Sequence, residues 1–347
     1  MATLDPTAID LRRLSAWMDS QGLGHGEIES PTPLTGGTQN ILLRFVRAGR
    51  GYVLRRPPAG RGPQADMGMV REARVLAALA GSRVPHAGLV ALCADPLVLG
   101  AAFYLMEPVD GFNPSGRPLP APHADDPHWR RAMGYGAVDA LLRLGEVDIE
   151  SAGLSGFGRP EGFLQRQVPR WRQQLAGYAD LAGWPGLQGL PGVHRLGDWL
   201  EAHRPGDSAP GILHGDYHLS NLMFSSHGPQ VAAIIDWELA TLGDPLLDLG
   251  WLLATWPDAS GQGAGTIHVR PWSGFPSRDE LIAHYRAHSP RDLTHVEWYA
   301  ALAAYKLGIL LEGSYARCRA GNAAQAVGDL HHTSAARLIH EALTRIA

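Results

Sequence analysis

Lysine is almost missing from this 347-residue chain: Lys306 stands against 29 arginines. A phosphate-binding P-loop needs Gly-Lys-Ser/Thr, and Lys306 is followed by Leu307, so that nucleotide-binding class is excluded. A lysine Schiff base would have to use this same residue, which lies in an apolar, helix-like segment. The only cysteines, Cys93 and Cys318, are far apart and match no metal spacing. They are expected to be free thiols in a reducing compartment. No apolar run reaches the roughly 18 residues of a membrane span. No basic stretch followed by an apolar core follows Met1, so no signal peptide is expected and the location should be cytoplasmic. The net charge of −4 removes bulk basic character as a reason to expect nucleic acid. No Gly-x-Ser-x-Gly elbow occurs, which argues against an α/β-hydrolase. No internal repeat or heptad pattern occurs either.

What is present concentrates in Ile212-Leu213-His214-Gly215-Asp216-Tyr217-His218-Leu219-Ser220-Asn221 and in Ile234-Ile235-Asp236-Trp237-Glu238. Asn221 follows Asp216 by five positions, and Asp236 ends the short β-branched run Val231–Ile235. Gly-Asp alone is common turn vocabulary. The ordered set H-x-D-x-x-x-x-N and then D is the arrangement that phosphoryl transfer needs. One carboxylate orients a hydroxyl, while an amide oxygen and a second carboxylate hold Mg²⁺ against nucleotide phosphates. A hairpin over 222–235 would return Asp236 beside the loop.

Along the chain, Asp5-Pro6 reads as a helix cap and first turn, with Ile9, Leu14, Trp17 and Met18 as the apolar face and Gly22 as the stop. Strand patterns follow from Ile28, over Ile41–Val46 and over Tyr52–Arg55. Gly36-Gly37-Thr38-Gln39-Asn40 lies between the first two. It reads either as a plain hairpin turn or as a backbone cradle for phosphate. Asp66–Leu79 is helical, and Leu89–Cys93 and Ala101–Met106 are strands. Glu107–Gly111 reads as a linker and Pro114–Pro127 as irregular. The remainder is mainly helical: Trp129–Leu144, Gly162–Trp184, Arg195–His203, Asp244–Trp256, Ser277–His288, Thr294–Arg317 and Ala323–Ile346. Gly261–Pro276 is glycine-rich and reads as a mobile loop. Gly22-x-Gly24-x-Gly26 follows a helix rather than a strand, so it is no dinucleotide fingerprint. His331-His332 reads as a solvated helix face, and Cys318 has no neighbouring motif to make it a nucleophile.

These motifs resemble the aminoglycoside phosphotransferase/choline kinase family of the protein-kinase-like fold. More closely, the chain is similar to the kinase-like domain associated with acyl-CoA dehydrogenases. The carriers are Gly36–Asn40, Tyr52–Pro58, Arg71-Glu72, Tyr104–Glu107, His214–Asn221 and Asp236–Glu238, with Gly243–Leu249 following. Phe157–Phe163 and Tyr305–Arg317 carry the closer likeness. The resemblance implies ATP and Mg²⁺ as cofactors and a small-molecule hydroxyl acceptor. It gives Asp216 the acceptor hydroxyl, Asn221 and Asp236 the metal, and His214 the bracing of the loop. Gly36, Gly37, Thr38, Gln39 and Asn40 would cover the phosphates, and the backbone near Glu107 and Val109 would hold adenine. Arg55 stands where better-known kinases place a lysine, paired with a helix glutamate, here Glu72. Strand alternation leaves Arg56 as the other candidate for the phosphates. Asp244 and Asp248 read as structural, with Asp244 capping the next helix.

The expected fold is α+β and two-lobed: an antiparallel-sheet N-lobe over 1–107 with one long helix, and a mainly helical C-lobe over 108–347. The expected activity is ATP-dependent phosphoryl transfer to a small-molecule hydroxyl, with a hydroxyacyl-CoA as one acceptor. Arg159, Arg166, Arg170 and Arg172 favour an anionic acceptor. An aminoglycoside or amino-alcohol kinase and a nucleotide-binding pseudokinase are the alternatives.

Overall fold

Residues of period two build the first layer. In a computed structural model describing residues 9–34, 40–321 and 325–347, strands β1 (Glu29–Pro33), β2 (Ile41–Arg47), β3 (Arg50–Arg56), β4 (Leu89–Cys93) and β5 (Phe103–Met106) form one antiparallel sheet. Its order is β1-β2-β3-β5-β4. Ile41, Leu43, Phe45, Leu54, Phe103 and Leu105 bury one face under α1 (Leu11–Ser20) and α3 (Pro96–Leu99). Ala102 and Tyr104, one residue out of phase with Phe103 and Leu105, face the other way, into the larger core. There α2 (Pro63–Leu79) packs through Met69, Ala73, Val75, Leu76 and Leu79. Asp10 caps α1 by accepting from the Arg12 and Arg13 amides, at 3.0 and 3.1 Å. The helix start expected at Asp5-Pro6 lies outside the described residues.

The rest of the chain is chiefly helical. It contains α4 (Pro127–Gly145), α5 (Gln167–Ala176), α6 (Val193–Ala202), α7 (Leu246–Thr255), α8 (Arg278–His288), α9 (Val296–Arg319) and α10 (Gln325–Arg345). Two small ladders interrupt it: β6 (Gly211–Leu213) with β9 (Thr241–Gly243), and β7 (Leu222–Phe224) with β8 (Val231–Ile234). Ser277 begins α8 with a full capping box to Glu280. The architecture is the expected α+β, two-lobed kinase-like one. No helix among the described residues is long and apolar enough to cross a membrane.

Three expectations fail for physical reasons. His332 is not on a solvated face: its Nδ1 lies 2.7 Å from the buried Glu312 carboxylate and its ring stacks on Tyr315. The single helix expected over Gly162–Trp184 is broken. Regular α-helix is confined to Gln167–Ala176, and Gly183 and Gly186 adopt left-handed φ of +79° and +81° beyond it. The loop Gly261–Pro276 is packed rather than free. Ala264, Ile267 and Val269 are buried, the Val269 amide donates to the Gly261 carbonyl at 2.9 Å, and the segment bridges to Ser115 and Pro118. Glycine content alone read as looseness, but a backbone with its polar groups paired is ordered.

Candidate active site

Register decides which arginine enters the cleft. Arg55 lies directly across from Tyr104 in the β3–β5 pair, so the two share a face. That face meets α2, where Glu72 is almost fully buried. Arg55 Nε approaches Glu72 Oε2 at 2.9 Å, and the Tyr104 hydroxyl donates to the same oxygen at 3.0 Å. Arg55 Nη2 donates onward to Asp236 Oδ1 at 2.6 Å. Arg56, one residue on, points to the opposite face and donates to the Leu99 carbonyl that ends α3, at 3.0 Å. Burial pulls the Arg55 guanidinium down, but the charge of Glu72, with Tyr104 and Asp236, outweighs it and secures the proton. Burial raises the Glu72 carboxyl, with Asp236 adding to the rise, against the opposing pull of Arg55 and Tyr104.

The catalytic-loop candidates assemble as the spacing requires. The short ladders bring the ends of the loop together, and the Ile235 amide donates to the Asn221 carbonyl at 2.9 Å, setting Asp236 beside Asn221. His214 is fully buried and joins the two segments. Its Nδ1 accepts from the Asp216 amide at 3.3 Å and its Nε2 donates to the Ile235 carbonyl at 2.8 Å, which assigns the neutral Nε2–H tautomer. Asn221 Nδ2 donates to Asp216 Oδ2 at 3.0 Å and to the Asp216 carbonyl at 2.9 Å. This turns the amide oxygen of Asn221 away from Asp216. Asp236 sits at φ +66°, a left-handed conformation uncommon for a residue with a Cβ and of the kind that collects at functional sites.

Burial pushes the Asp216 carboxyl up, yet the hydrogen bond and charge of His218, with the charge of Lys306, hold it well below the usual carboxylate range. His218 Nε2 lies 3.3 Å from Asp216 Oδ1. Glu238 joins the same acidic cleft, where burial and the charge of Asp236 push its carboxyl up to about 7. Among the described residues no three His, Cys, Asp or Glu side chains cluster as a metal cage. Asn221 and Asp236 instead offer two hard oxygen donors, a set that suits Mg²⁺ completed by phosphates and water.

Some expected positions have different standing. Gly36, Gly37, Thr38 and Gln39 lie outside the described residues, and Asn40 follows directly at the mouth of β2. The Glu107 amide is committed to the Gly88 carbonyl at 2.8 Å, and its side chain pairs with Arg50 at 3.1 Å. Asp244 lies one residue before the N-cap position of α7, which is Pro245, and accepts from the Leu246 amide at 3.0 Å. Asp248 accepts from the His214 and Gly215 amides at 2.6 and 2.9 Å, a bracing role that the sequence reading left unspecified. Of the four arginines of region 157–174, Arg166 is spent on the Glu161 and Arg159 carbonyls and Arg172 on Asp198 and Glu201. Only Arg159 and Arg170 stay exposed with no ion pair among the described residues. Three residues near Asp216 were given no site role by the sequence: His218, Glu238 and Lys306. The isolation of Lys306 among 29 arginines was the one signal that could have flagged it.

The sequence profile of the phosphotransferase enzyme family matches residues 31–282. Human acyl-CoA dehydrogenase family member 11 is 32% identical over 329 residues, covering 90% of this chain and 40% of that protein. Its Gallus gallus counterpart is 31% identical over 300 residues, covering 83% of this chain and 36% of that protein. The chain therefore spans well under half the length of these relatives. Among solved structures, a Ralstonia eutropha protein assigned to the aminoglycoside phosphotransferases superposes with a TM-score of 0.76 at 32% identity, over 97% of this chain and 99% of that one. A spectinomycin phosphotransferase solved with ADP and spectinomycin shares the fold alone, with a TM-score of 0.60 at 12% identity, over 96% of this chain and 98% of that one.

Proposed function

Because the chain belongs to the phosphotransferase enzyme family, we propose that it transfers the γ-phosphoryl group of ATP to the hydroxyl of an anionic small molecule, a hydroxyacyl-CoA thioester. The observation that carries the transfer chemistry is the His214-braced loop, which sets Asp216, Asn221 and Asp236 around one cleft. A carboxylate held below its ordinary range is a weak proton acceptor, so Asp216 serves mainly to accept the acceptor's O–H and aim its oxygen for in-line attack. In a loose transition state little proton transfer is needed before the phosphorus–oxygen bond breaks. Asn221 and Asp236 would hold Mg²⁺, which neutralises charge on the phosphate oxygens. Arg55 would exchange its contact with Asp236 for the nucleotide phosphates while Glu72 keeps it oriented, a swap that its planar fork of donors permits. With the Glu107 amide occupied, the adenine contact at that residue falls to its carbonyl. The turn over 36–40 would close on the phosphates. We place the division between the lobes near residue 107, and the location in the cytoplasm.

The relatives support this choice of acceptor. Both proteins named above are acyl-CoA dehydrogenase family members, and each extends far beyond the segment shared with this chain. A kinase region joined to such an enzyme points to an acyl-CoA as the common substrate. The exposed cations Arg159 and Arg170 suit a phosphate-bearing acceptor better than a polycationic antibiotic. The Ralstonia eutropha structure supports the aminoglycoside alternative by its assignment.

One experiment separates these readings. The protein is incubated with MgATP and a panel of hydroxyacyl-CoAs, aminoglycosides and amino alcohols, with mass spectrometry reading phosphate addition. Phosphorylated hydroxyacyl-CoA is the expected product. Phosphorylation of an antibiotic with no CoA thioester modified would overturn the acceptor. No transfer to any compound, together with no thermal stabilisation by MgATP, would overturn the kinase reading and leave the pseudokinase.

A further inference from the structure

The peptide that leads into Asp216 is gripped from both sides by charged groups to which the transfer reading gives no part. From α7, Asp248 takes the amides of His214 and Gly215. From α9, the Lys306 ammonium donates to the Gly215 carbonyl at 2.9 Å. Gly215 itself has φ +84°, and a Cβ there would come within 2.6 Å of the Leu239 carbonyl oxygen, so the peptide has little room to move. Helices α7 and α9 form a rigid frame: Gly250 lies so close to α9 that a Cβ would meet the Tyr299 carbonyl oxygen at 2.4 Å. The Lys306 ammonium lies 4.3 Å from the ring centre of Trp251 and 5.6 Å from that of Trp171, faces that attract a cation and confine the stem.

We propose that Lys306 is a positioning residue for Asp216: its ammonium, seated against Trp251, fixes the Gly215–Asp216 peptide through the Gly215 carbonyl and so keeps the Asp216 side chain aimed. A purely structural donor would have no need of charge. Asparagine or glutamine could satisfy one carbonyl at lower desolvation cost. The charge is answered from each element around it, by Asp216 from the loop and Asp248 from α7, while Arg170 from α5 opposes it. Burial brings the ammonium down to about 8, still mostly protonated at neutral pH, and the two aspartates hold it from falling further. What the aim serves rests on the phosphotransferase reading; the coupling between the two charges does not.

Because the chain has a single lysine, ¹⁵N-lysine labelling gives one side-chain ammonium signal. Its titration midpoint is compared in the unsubstituted protein and in Asp216→Asn. The midpoint should fall by about one unit when the neighbouring negative charge is removed. A midpoint unchanged within about 0.2 units would overturn the proposal. For the role in transfer, Lys306→Met and Lys306→Arg are assayed with MgATP, using water and the acceptor panel above. Lys306→Met should lose about 10- to 100-fold in kcat with the KM for MgATP held within about twofold, and Lys306→Arg should recover part of the loss. A folded Lys306→Met with wild-type kcat would equally overturn it. If the protein transfers phosphate to nothing, the kinase reading fails while the coupling is still decided by the titration.

Discussion

Removing Arg55 tests the core of the site without any substrate. In Arg55→Met, Glu72 keeps the Tyr104 hydroxyl but loses its cation, and Asp236 remains as a neighbouring like charge. Glu72 is only 2% exposed, so its carboxylate cannot recover water. Breaking a buried pair by deleting one partner costs about 3–5 kcal/mol. Protonation sets a second limit: neutralising a carboxyl of ordinary pKa about 4.3 costs about 3.7 kcal/mol at pH 7 and about 1 kcal/mol at pH 5. The variant should therefore lose about 3–4 kcal/mol at pH 7 but only about 1 kcal/mol at pH 5. The sign follows from Glu72, whose folded-state pKa in the variant lies above its unfolded value. The stability is present below the unfolded pKa and is lost as pH rises. Urea unfolding of both proteins at the two pH values, in EDTA, reads this directly. The double variant Arg55→Met/Glu72→Met should recover most of the loss, because it leaves no orphan charge. Equal destabilisation at pH 5 and pH 7 would refute the reasoning and show that lost packing, rather than the stranded carboxylate, governs the site.

Other perturbations separate chemistry from support. Asp216→Asn should leave MgATP binding near wild type while lowering kcat by about 10²- to 10⁴-fold on whichever acceptor is phosphorylated; wild-type turnover would remove Asp216 from its role. Gly215→Ala, with its Cβ driven toward the Leu239 carbonyl at a positive φ, should cost about 1–3 kcal/mol in urea unfolding and abolish transfer. Asp248→Ala would strand the buried amides of His214 and Gly215, at about 1–3 kcal/mol for each unmade bond, so a loss below about 1 kcal/mol would deny its bracing role. The site's dependence on Mg²⁺ should appear as loss of the ATP-induced thermal shift in EDTA, with Asn221→Ala reproducing that loss in the presence of the metal.

Much of the site was legible because its spacing is local. His214, Asp216 and Asn221 lie within eight residues, and a fifteen-residue return to Asp236 is a hairpin's reach. The strands follow from period-two runs and their turns, but their order, with β5 between β3 and β4, was decided by the fold. Helix ends fared well where a cap was present, as at Ser277, and poorly where glycine and proline fell inside a helical composition, as over Gly162–Trp184.

The sequence by itself determined which groups are candidates for transfer, and in what order along the chain, because type and close spacing are written in one dimension. It also determined that no P-loop could exist, from the neighbour of its one lysine. Only the tertiary structure decided that Arg55 rather than Arg56 faces Glu72, since alternation fixes opposition but not which side the helix covers. Only it showed that Arg166 and Arg172 are committed to carbonyls and carboxylates of the fold, and that Glu107 has spent its amide. It alone brought Lys306 to the carbonyl beside Asp216 across 91 positions of sequence. That contact depends on how α7 and α9 pack, and such packing comes from the summed shape of many apolar side chains. No local pattern around Lys306, in a helix apolar on most sides, encodes its partner.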